Sequence, residues 1–395
     1  MVLLFVALFN SILGLSVLFP VLAPLGRELG LGEVEITSLS AAYSLMQFAT
    51  ASFWGRRSEA RGRKPILLVG IIGFAIGFYA FGAVAQLGLD GALSKWPLFA
   101  LLLATRVVGG TFSSATLPTA QAYAADVSER EDRTKAMAVI GAAFGLGVIF
   151  GPAIGAGLAH LTGSLLAPVY FSASVAVINA IFVALRLPEP DRRVPAPASA
   201  PRRTSVVRRV WPLLVVGFGA TLASVAMEQT VAFYFQDRLG LEELGTTRVV
   251  GLALAAYGVV AVLAQGFLVR RVGLAPTTWV RLGLPIALAG FALFVFADEY
   301  VTLTAALILQ GLGQGLLLPG VTSAGSLAVG DEEQGAVAGA HSASQALART
   351  IGPVLGGSLY ALRHELPYVF GAALLTLVLV VVLAVPLGAT RRSAA

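Results

Sequence analysis

The chain has 395 residues, of which 57% are hydrophobic and 12% charged, and its formal net charge is +6. An ordinary soluble domain has about 25% charged residues, so the composition excludes that class of protein. The absence of cysteine excludes disulfides, thiolate metal sites and cysteine nucleophiles, and the three histidines lie too far apart in sequence to suggest a metal or hydrolase centre. We therefore expect no metal, no cofactor and no enzymatic activity.

Apolar stretches of about 20 residues, long enough to cross a bilayer, recur along the chain. The first begins at Val2 without the basic region of a signal peptide, so we interpret it as a membrane span. The hydrophobic pattern predicts twelve helices, at Val2–Leu22, Glu35–Trp54, Pro65–Leu87, Pro97–Ala124, Thr134–Leu161, Leu165–Leu187, Val210–Phe235, Thr247–Val269, Thr277–Ala297, Thr302–Leu327, Gly335–Leu362 and Pro367–Leu387.

Residues 188–209, between the sixth and seventh predicted helices, are rich in Pro, Ala and Arg and lack helical periodicity. This composition is typical of an extended, flexible linker. We therefore predict an N-terminal six-helix bundle at residues 1–187, a cytoplasmic linker at 188–209 and a C-terminal six-helix bundle at 210–395.

The basic residues orient the predicted helices. When both termini are placed in the cytoplasm, 20 of the 27 Lys and Arg residues fall in cytoplasmic segments and five on the opposite side. Because cytoplasmic loops of membrane proteins are enriched in Lys and Arg, this bias predicts a multi-pass protein with cytoplasmic N- and C-termini.

Glycines and prolines repeat between the two predicted halves. Five positions recur at a constant offset of 201 residues: Gly110, Pro118, Gly151, Pro152 and Gly155 return as Gly311, Pro319, Gly352, Pro353 and Gly356. Two parallel six-helix repeats are the organisation expected of a secondary transporter in which two bundles rock against each other. The predicted fold is therefore all-α and integral to the membrane, with two pseudo-symmetric six-helix bundles.

The loop after the second predicted helix, within "WGRRSEARGRKP", collects five cations between Arg56 and Lys64. Nucleic-acid binding is excluded because membrane spans bracket the loop and no aromatic platform accompanies it. A phosphate-binding loop is excluded because its Gly-x-x-x-x-Gly-Lys-Ser/Thr spacing is absent. The cluster is therefore at least a cytoplasmic anchor.

The same loop resembles the loop 2–3 signature of the major facilitator superfamily, Gly-x-Leu-x-Asp-Arg-x-Gly-Arg-Lys. The matching residues are Gly55, Gly62, Arg63 and Lys64, with Glu59 in place of the Asp. "RVVGG", beginning at Arg106, resembles the helix 4 signature, with Gly109 in place of Gln. "GLGVIFGPAIGAG" resembles the helix 5 signature of the drug–proton antiporters, through Gly147, Gly151, Pro152 and Gly155.

The resemblance covers the whole chain and is greatest to the twelve-helix tetracycline and multidrug exporters. One departure matters, because that branch often has an Asp in the first helix where this chain has Ser11, beside Asn10. Any proton-carrying role of that Asp is therefore missing here.

The resemblance implies that the basic loop is a latch that holds the bundles together on the cytoplasmic side. In that role Glu59 would approach the N-terminus of the eleventh helix near Gly335, where the helix dipole favours an anion. Arg63 would pair with Asp126, and Gly55 and Gly62 would permit close backbone approach. The alternative is a solvated basic loop without such contacts.

Three charged residues fall deep within predicted spans: Arg106, Glu228 and Arg349. Such groups are costly in a membrane and are functional candidates by default. With His341 they form the predicted proton-coupling set, in which Glu228 is the protonatable switch. The alternatives are structural tethers for the two arginines, a static Glu228–Arg349 ion pair, and a hydrogen-bonding role alone for His341.

Helical spacing gathers polar side chains near these charges and predicts a central substrate cavity, lined as the resemblance implies by helices 1, 4, 7 and 10. The helix 5 glycines and Pro152 are predicted to serve close helix packing. The candidate cavity residues are Asn10, Ser11, Gln47, Arg106, Glu228, Gln229, Phe233, Tyr257, Gln310, Gln314 and Gln345.

The leading functional hypothesis is proton-coupled efflux of small amphipathic compounds by alternating access. Its expected partners are a small-molecule substrate, protons and membrane lipids, with no nucleic acid, for a monomer in the plasma (inner) membrane of a bacterium. One alternative is transport of organic anions or metabolites through a positively charged cavity. The others are a non-transporting membrane sensor and a membrane enzyme, although no nucleophile–base set is recognisable.

Overall fold

The computed structural model describes residues 2–128, 133–190, 203–330 and 333–385, in which every regular element is a helix. A short π-helical segment, Ala264–Leu268, lies between α10 and α11. The α-helices in chain order are α1 (Val2–Ser16), α2 (Leu22–Glu28), α3 (Glu33–Arg61), α4 (Arg63–Leu89), α5 (Lys95–Ser113), α6 (Thr116–Val127), α7 (Arg133–Thr162), α8 (Ala167–Arg186), α9 (Arg203–Leu239), α10 (Glu243–Leu263), α11 (Val269–Val272), α12 (Pro276–Phe296), α13 (Tyr300–Leu327), α14 (Gln334–Leu362) and α15 (Leu366–Ala384).

Each of the twelve predicted spans overlaps at least one helix, and the predicted all-α class is confirmed for the described part of the chain, whereas the number of twelve membrane-spanning helices stays a prediction. Nine helical segments there are long and apolar enough to cross a membrane. The remaining predicted spans correspond to α1, which has 15 residues, and to α3 and α14. Charged residues at both ends of α3, and the Gln, His, Ser and Arg residues of α14, lower the hydropathy of those two helices.

Two predicted helices are interrupted in the structure. The first predicted span ends as a helix at Ser16, four residues before Pro20, and the fourth divides after Ser113, close to Pro118. A proline has no N–H to donate, and its ring clashes with the carbonyl four residues earlier, which here belongs to Ser16 or Ser114. The prediction of continuous helices at these two places is therefore wrong.

The C-terminal part of the predicted linker is helical in the structure. Its residues 191–202 lie outside the described part, but α9 begins at Arg203, so 203–209 are helical rather than extended. No proline occurs between Arg203 and Trp211, and arginine is a good helix former. The helix that was predicted to begin at Val210 therefore starts two turns earlier.

Contacts divide the chain into two compact units. The first unit comprises Met1–Val194 with Gln229–Ala255, and the second comprises Pro195–Glu228 with Ala256–Ala395. The first unit thus includes the C-terminal part of α9 and the N-terminal part of α10. The two six-helix bundles, 1–187 and 210–395, stay a prediction.

Repeated glycines bring helices into close contact in each unit. In the first unit, a Cβ added at Gly147 of α7 would lie 2.8 Å from Ile12 of α1, and one at Gly155 would overlap the carbonyl oxygen of Val17. In the second unit, Cβ atoms at Gly352 and Gly356 of α14 would lie 2.7 Å from atoms of α9. These contacts agree with the packing role predicted for the repeat, because only glycine leaves room for the neighbouring helix.

The other residues of the helix 5 motif take part in the same packing. Ser16 donates a hydrogen bond of 2.7 Å to the carbonyl of Gly147 and lies where a side chain on Gly151 would be. Pro152 is inside α7, and its carbonyl would lie 3.0 Å from a Cβ on Gly251 of α10. The first unit therefore packs α7 against both α1 and α10.

Candidate functional site

Glu228 lies in the middle of α9 and is held by two hydroxyl groups of the second unit. Ser224, one helical turn earlier, donates a hydrogen bond of 3.0 Å to Oε1, and Tyr257 of α10 donates to the same oxygen at 3.3 Å. Ser224 and Glu228 thus lie on one face of α9, as expected for residues four apart on a helix. A carboxylate can accept both bonds, so this environment supports the ionised form as well as a protonated one.

Arg349 is exposed on α14, and its charge acts on the Glu228 carboxylate. The salt bridges among described residues do not include a Glu228–Arg349 pair. The second unit therefore does not contain the static ion pair that was one alternative for Glu228.

His341 lies two turns before Arg349 and is hydrogen bonded to side chains of α14 and α13. Its Nε2 is 2.8 Å from Nε2 of Gln345 and 3.4 Å from Oγ1 of Thr322. Its ring is also the group that a Cβ on Gly217 would meet, at 2.9 Å. These contacts fit the hydrogen-bonding alternative for His341, and a role in proton transfer stays a prediction.

Gln310 and Gln314 of α13 are both buried in the second unit. Their amide nitrogens donate to two different helices, that of Gln310 to the carbonyl of Ala287 on α12 and that of Gln314 to the carbonyl of Ala220 on α9. The Oε1 atoms of both side chains have no hydrogen-bond partner within the described structure. The spacing of the two residues by four places them on one face of the helix. Their amide groups nevertheless bind two different neighbouring helices.

The candidate residues of α1 and α3 are partly buried in the first unit. Ser11 donates to the carbonyl of Ala7 at 3.0 Å and accepts a bond of 3.2 Å from Asn179 of α8, and Asn10 is its neighbour. Gln47 donates to Ser113 of α5 at 3.2 Å. Ser11 therefore occupies the family's acidic position as part of a neutral hydrogen-bonded group.

Arg106 of α5 is only 5% exposed and is surrounded by aromatic rings of the first unit. Its guanidinium carbon lies 4.0 Å from the centre of the Phe81 ring, 5.2 Å from Phe78 and 6.0 Å from Tyr43. Sequence reasoning missed these rings as partners of Arg106. The spacing of the two phenylalanines by three residues on α4, which places them on one helix face, was the available signal.

The predicted Arg63–Asp126 contact of the latch is formed within the first unit. Arg63 Nε donates to Asp126 at 2.7 Å, and Nη1 donates to Ser58 at the same distance. Glu189, which the sequence analysis missed, accepts hydrogen bonds from the backbone N–H groups of Arg63, at 2.5 Å, and Lys64, at 2.9 Å. Its carboxylate therefore caps the N-terminus of α4, where unpaired N–H groups and the helix dipole favour an anion.

The other three residues of the predicted latch have different surroundings; they are Gly62, Gly55 and Glu59. Gly62 has φ of 103°, and a Cβ there would lie 2.8 Å from Oε1 of Glu189. Within the first unit a Cβ at Gly55 would meet nothing within 4 Å, and the close backbone approach predicted for Gly55 in the latch stays a prediction. Glu59 is exposed, and its contact with the eleventh predicted helix near Gly335 stays a prediction.

We expect Gly62→Ala to lower the free energy of unfolding by about 1–3 kcal/mol, because this backbone region is nearly exclusive to glycine. The new methyl group would also displace the Glu189 cap. Gly55→Ala is the matched control and should be neutral or slightly stabilising, since alanine is the better residue in a helix interior. Thermal unfolding of both variants in detergent tests the difference, and equal unfolding temperatures would contradict it.

A charged cluster at the opposite end of the first unit was also missed by the sequence analysis. Arg27 of α2 contacts both carboxylate oxygens of Asp237 on α9, at 2.5 and 2.8 Å, and Glu33 at 3.1 Å. Its guanidinium lies 4.9 Å from the centre of the Phe233 ring, which is fully buried. Phe233, predicted to line the cavity, therefore packs beneath this cluster, whereas Gln229 is partly buried one turn earlier.

A cavity of about 190 Å³ lies at this end of the first unit and is lined by Glu28, Glu242 and Glu243 together with five uncharged residues. Burial raises the pKa of the Glu28 carboxyl, and the negative charge of Glu243 raises it further. A carboxyl whose pKa is raised on folding favours the folded protein at low pH, and that contribution is lost as the pH rises through the folded pKa.

We therefore expect Glu28→Gln to raise the unfolding temperature at pH 8 by about 1 °C, because the amide removes a charge that is disfavoured in the folded state. At pH 4 the carboxyl is largely protonated, and the variant should then match the wild-type protein. Unfolding curves at both pH values test this expectation. A variant that is less stable at pH 8 would show that Glu28 makes a favourable ionic contact instead.

Comparison with known proteins gives a consistent picture. A sequence profile described as Major Facilitator Superfamily matches residues 4–353 and 249–394. The chain is 25% identical over 380 residues to Multidrug resistance protein 1 of Bacillus subtilis (strain 168), covering 94% of this chain and 92% of that protein. It is 28% identical over 381 residues to the class C tetracycline resistance protein of Escherichia coli, covering 91% and 90%.

Solved structures share the fold. The human organic anion transporter MFSD10 (TETRAN) is similar with a TM-score of 0.68 and 22% identity, over 96% of this chain and 98% of that one. A bacterial homologue of the human lysosomal transporter Spinster, in an inward-facing and occupied conformation, is similar with a TM-score of 0.70 and 13% identity, over 97% and 93%. At these identities the likeness concerns the fold alone.

Proposed function

We propose, since the chain belongs to the major facilitator superfamily of membrane transporters, that it exports small amphipathic compounds in exchange for protons. The names of its relatives, a multidrug resistance protein and a tetracycline resistance protein, support efflux as the direction of transport. The proposed setting is the plasma (inner) membrane of a bacterium, with both termini in the cytoplasm, as the distribution of basic residues predicts. The transporter works as a monomer among membrane lipids.

The observation that carries proton coupling is the position of Glu228. It is the one acidic residue of the described helices that lies far from a helix end, since Ser11 replaces the acidic residue of the first helix. Burial in a low dielectric favours a neutral carboxyl, whereas hydroxyl donors and a nearby cation favour the carboxylate. Glu228 is partly buried, whereas Ser224, Tyr257 and the charge of Arg349 favour its carboxylate form. Movement of these groups during transport would therefore change the balance between the neutral and the ionised form.

Arg106, Arg349 and His341 complete the proposed proton-coupling set. The two arginines keep a positive charge near the substrate path, and His341 is the other group in these helices that can exchange a proton near neutral pH. The cavity is proposed to be lined by the partly buried Asn10, Ser11, Gln47, Gln229, Tyr257 and Gln345, with Arg106, Glu228, Phe233, Gln310 and Gln314.

The basic segment around Gly62, which comprises the last turns of α3 and the first turn of α4 rather than the predicted loop, is proposed to act as the cytoplasmic latch. Its anchored part is Arg63, which is tied to Asp126 and Ser58, while Glu189 caps the following helix. Glu59 is exposed and is the part available for contact with the second half of the chain. The proposed latch thus combines an anchored arginine, Arg63, with the exposed carboxylate of Glu59.

The proposed function is tested by flux in proteoliposomes. Protein reconstituted into vesicles with an imposed pH gradient should move the cationic dye ethidium against its concentration gradient, and nigericin, which collapses the pH gradient, should stop this movement. Transport that is unchanged by nigericin would contradict proton coupling, and the absence of any dye movement would contradict multidrug efflux.

A further inference from the structure

Arg106 is a buried cation in the first unit that none of the described side chains neutralises. It takes part in no salt bridge among the described residues, and the described acidic residues of that unit lie in loops or within the terminal turns of helices. A guanidinium is always charged in proteins. Burying it without a counter-ion costs several kcal/mol, so an anion that is not part of this chain has a strong reason to bind.

The unpaired donors of Arg106 have a defined geometry. Its Nε and Nη2 atoms are buried without a hydrogen-bond partner in the described structure. These two nitrogens form one edge of the planar guanidinium, and their N–H bonds are roughly parallel. This edge matches the two oxygens of a carboxylate, which accept such a pair of bonds simultaneously.

Aromatic rings lie near the faces of the guanidinium, whereas its Nε–Nη2 edge has no hydrogen-bond partner in the described structure. The Phe81 ring lies over it with 4.0 Å between the guanidinium carbon and the ring centre, and Phe78 lies at 5.2 Å. Aromatic rings stabilise a cation through their faces but provide no hydrogen-bond acceptor in its plane. The neighbouring rings therefore leave the fork of donors unsatisfied while providing an apolar wall beside it.

Helix α1 contains no acidic residue that could neutralise Arg106. Ser11 stands at the acidic position of the first helix, and its hydroxyl is engaged with Ala7 and Asn179. The first unit thus contains a buried guanidinium without a counter-ion among the described residues. Two of its nitrogen donors have no acceptor there, and aromatic rings lie beside them. Unsatisfied buried groups of this kind require an explanation such as a bound ion, a water or a functional ligand.

We propose that Arg106, Phe78, Phe81 and Tyr43 form a subsite for a carboxylate attached to an aromatic ring. The carboxylate binds the Nε–Nη2 edge, and the ring of the ligand packs against the phenylalanines. The proposal rests on the proposed transport function, because it names a substrate class for the same path. Both donors are closed to solvent in this structure, so a ligand enters only after the surrounding rings move, and association is slower than diffusion.

The test uses two probes that share one ring system: 2-naphthoate and the neutral 2-naphthamide. Binding to the purified full-length protein is measured by titration calorimetry. The wild-type protein is expected to bind 2-naphthoate at least tenfold more tightly than 2-naphthamide. A buried water as the only partner of Arg106 predicts no such preference, and that result would overturn the proposal.

Arg106→Gln should weaken 2-naphthoate binding by about 10- to 100-fold, as expected for loss of a charged hydrogen-bonded pair, and leave 2-naphthamide binding unchanged. Arg106→Lys keeps the charge but not the fork, so it should retain only part of the preference. The exposed Arg281→Gln is the matched control and should behave as wild type. A preference that persists in Arg106→Gln, or full affinity in Arg106→Lys, would overturn the proposal.

Two further readouts separate this proposal from its premise and from misfolding. If the Arg106→Gln protein does not fold, titration of the Arg106→Lys protein shows whether the preference for 2-naphthoate depends on the paired N–H donors of arginine or on the positive charge alone. If ethidium efflux fails while the Arg106-dependent preference for 2-naphthoate persists, the proposed function is wrong and the anion subsite stands. If efflux is proton-driven and the naphthoate preference is absent, the subsite alone is wrong.

Discussion

We expect reconstituted Glu228→Gln protein to lose dye accumulation driven by a pH gradient, down to the level of protein-free vesicles, while downhill exchange of the same dye continues. Glutamine has nearly the size of glutamate and still accepts hydrogen bonds from Ser224 and Tyr257, which lie 3.0 and 3.3 Å from Glu228 Oε1. It cannot change its charge. The substitution therefore removes the proton-dependent step without removing the contacts that position the side chain.

The loss should be specific to Glu228. Glu242→Gln makes the same chemical change at an exposed carboxylate in the loop between α9 and α10, and we expect it to pump normally. The affinity of Glu228→Gln protein for the dye should also be independent of pH, whereas that of the wild-type protein should vary with pH. Uphill transport by the variant would exclude Glu228 as the coupling residue and direct attention to His341.

Arg349 provides a second measure of the same site. Its charge acts on the carboxylate without a direct ion pair in the second unit. If the two groups are coupled through space, the effects of Arg349→Gln and Glu228→Gln on the pH dependence of transport should be non-additive in the double variant. Additive effects would indicate that Arg349 acts on another group.

Much of the fold is predictable from the sequence, because a membrane imposes a simple requirement. Every backbone group must be satisfied inside the bilayer, so long apolar stretches become helices. The repeated glycines were equally informative, since Gly151 of α7 and Gly352 of α14 both contact a neighbouring helix in their own unit. Small residues at fixed spacing are therefore direct predictors of helix contacts.

The interruptions of two helices were only partly predictable from the sequence. Pro20 and Pro118 each obstruct the carbonyl four residues earlier, and the helices α1 and α5 end near those carbonyls. Pro152 and Pro353, by contrast, lie inside continuous helices. The sequence alone does not separate these cases, because packing against a neighbouring helix determines whether the strained turn is retained.

The candidate site was only partly predictable, for a reason that concerns distance along the chain. Ser224 and Glu228 are four residues apart on one helix, so their contact follows from helical periodicity. Glu189 and Arg63 are 126 residues apart, and Arg27 and Asp237 are 210 apart. No local pattern connects such residues, because their proximity depends on how helices pack rather than on how each helix forms.

The pair formed by Arg27 and Asp237 gives the second large expected effect. It joins α2 to the end of α9 within the first unit, on the side that the charge bias assigns to the exterior. Both side chains are 21% exposed, and two hydrogen bonds connect them. Bidentate pairing of this kind is stronger than an exposed surface salt bridge.

Under alternating access, such a link stabilises the state in which the exterior ends of these helices are together. Neutralising Asp237 by Asp237→Asn removes a charge-assisted pair worth about 1.5–3 kcal/mol. It should therefore shift the equilibrium toward a separated state by about 10- to 100-fold. Glu33, at 3.1 Å from Arg27, keeps part of the charge compensation and lets the variant fold.

Spin labels measure this shift directly, because the chain has no cysteine and single cysteines can be labelled without background. Labels at the exposed positions Ala92 and Leu244, both in the first unit, should report one short distance in the wild-type protein and an additional longer distance in Asp237→Asn. Lys95→Gln is the matched control, since it breaks a pair with Glu35 at 2.9 Å that is confined to the N-terminal half. Identical distance distributions in wild-type and Asp237→Asn protein would mean that the Arg27–Asp237 pair does not govern opening, and that packing of the buried Phe233 holds these helices together instead.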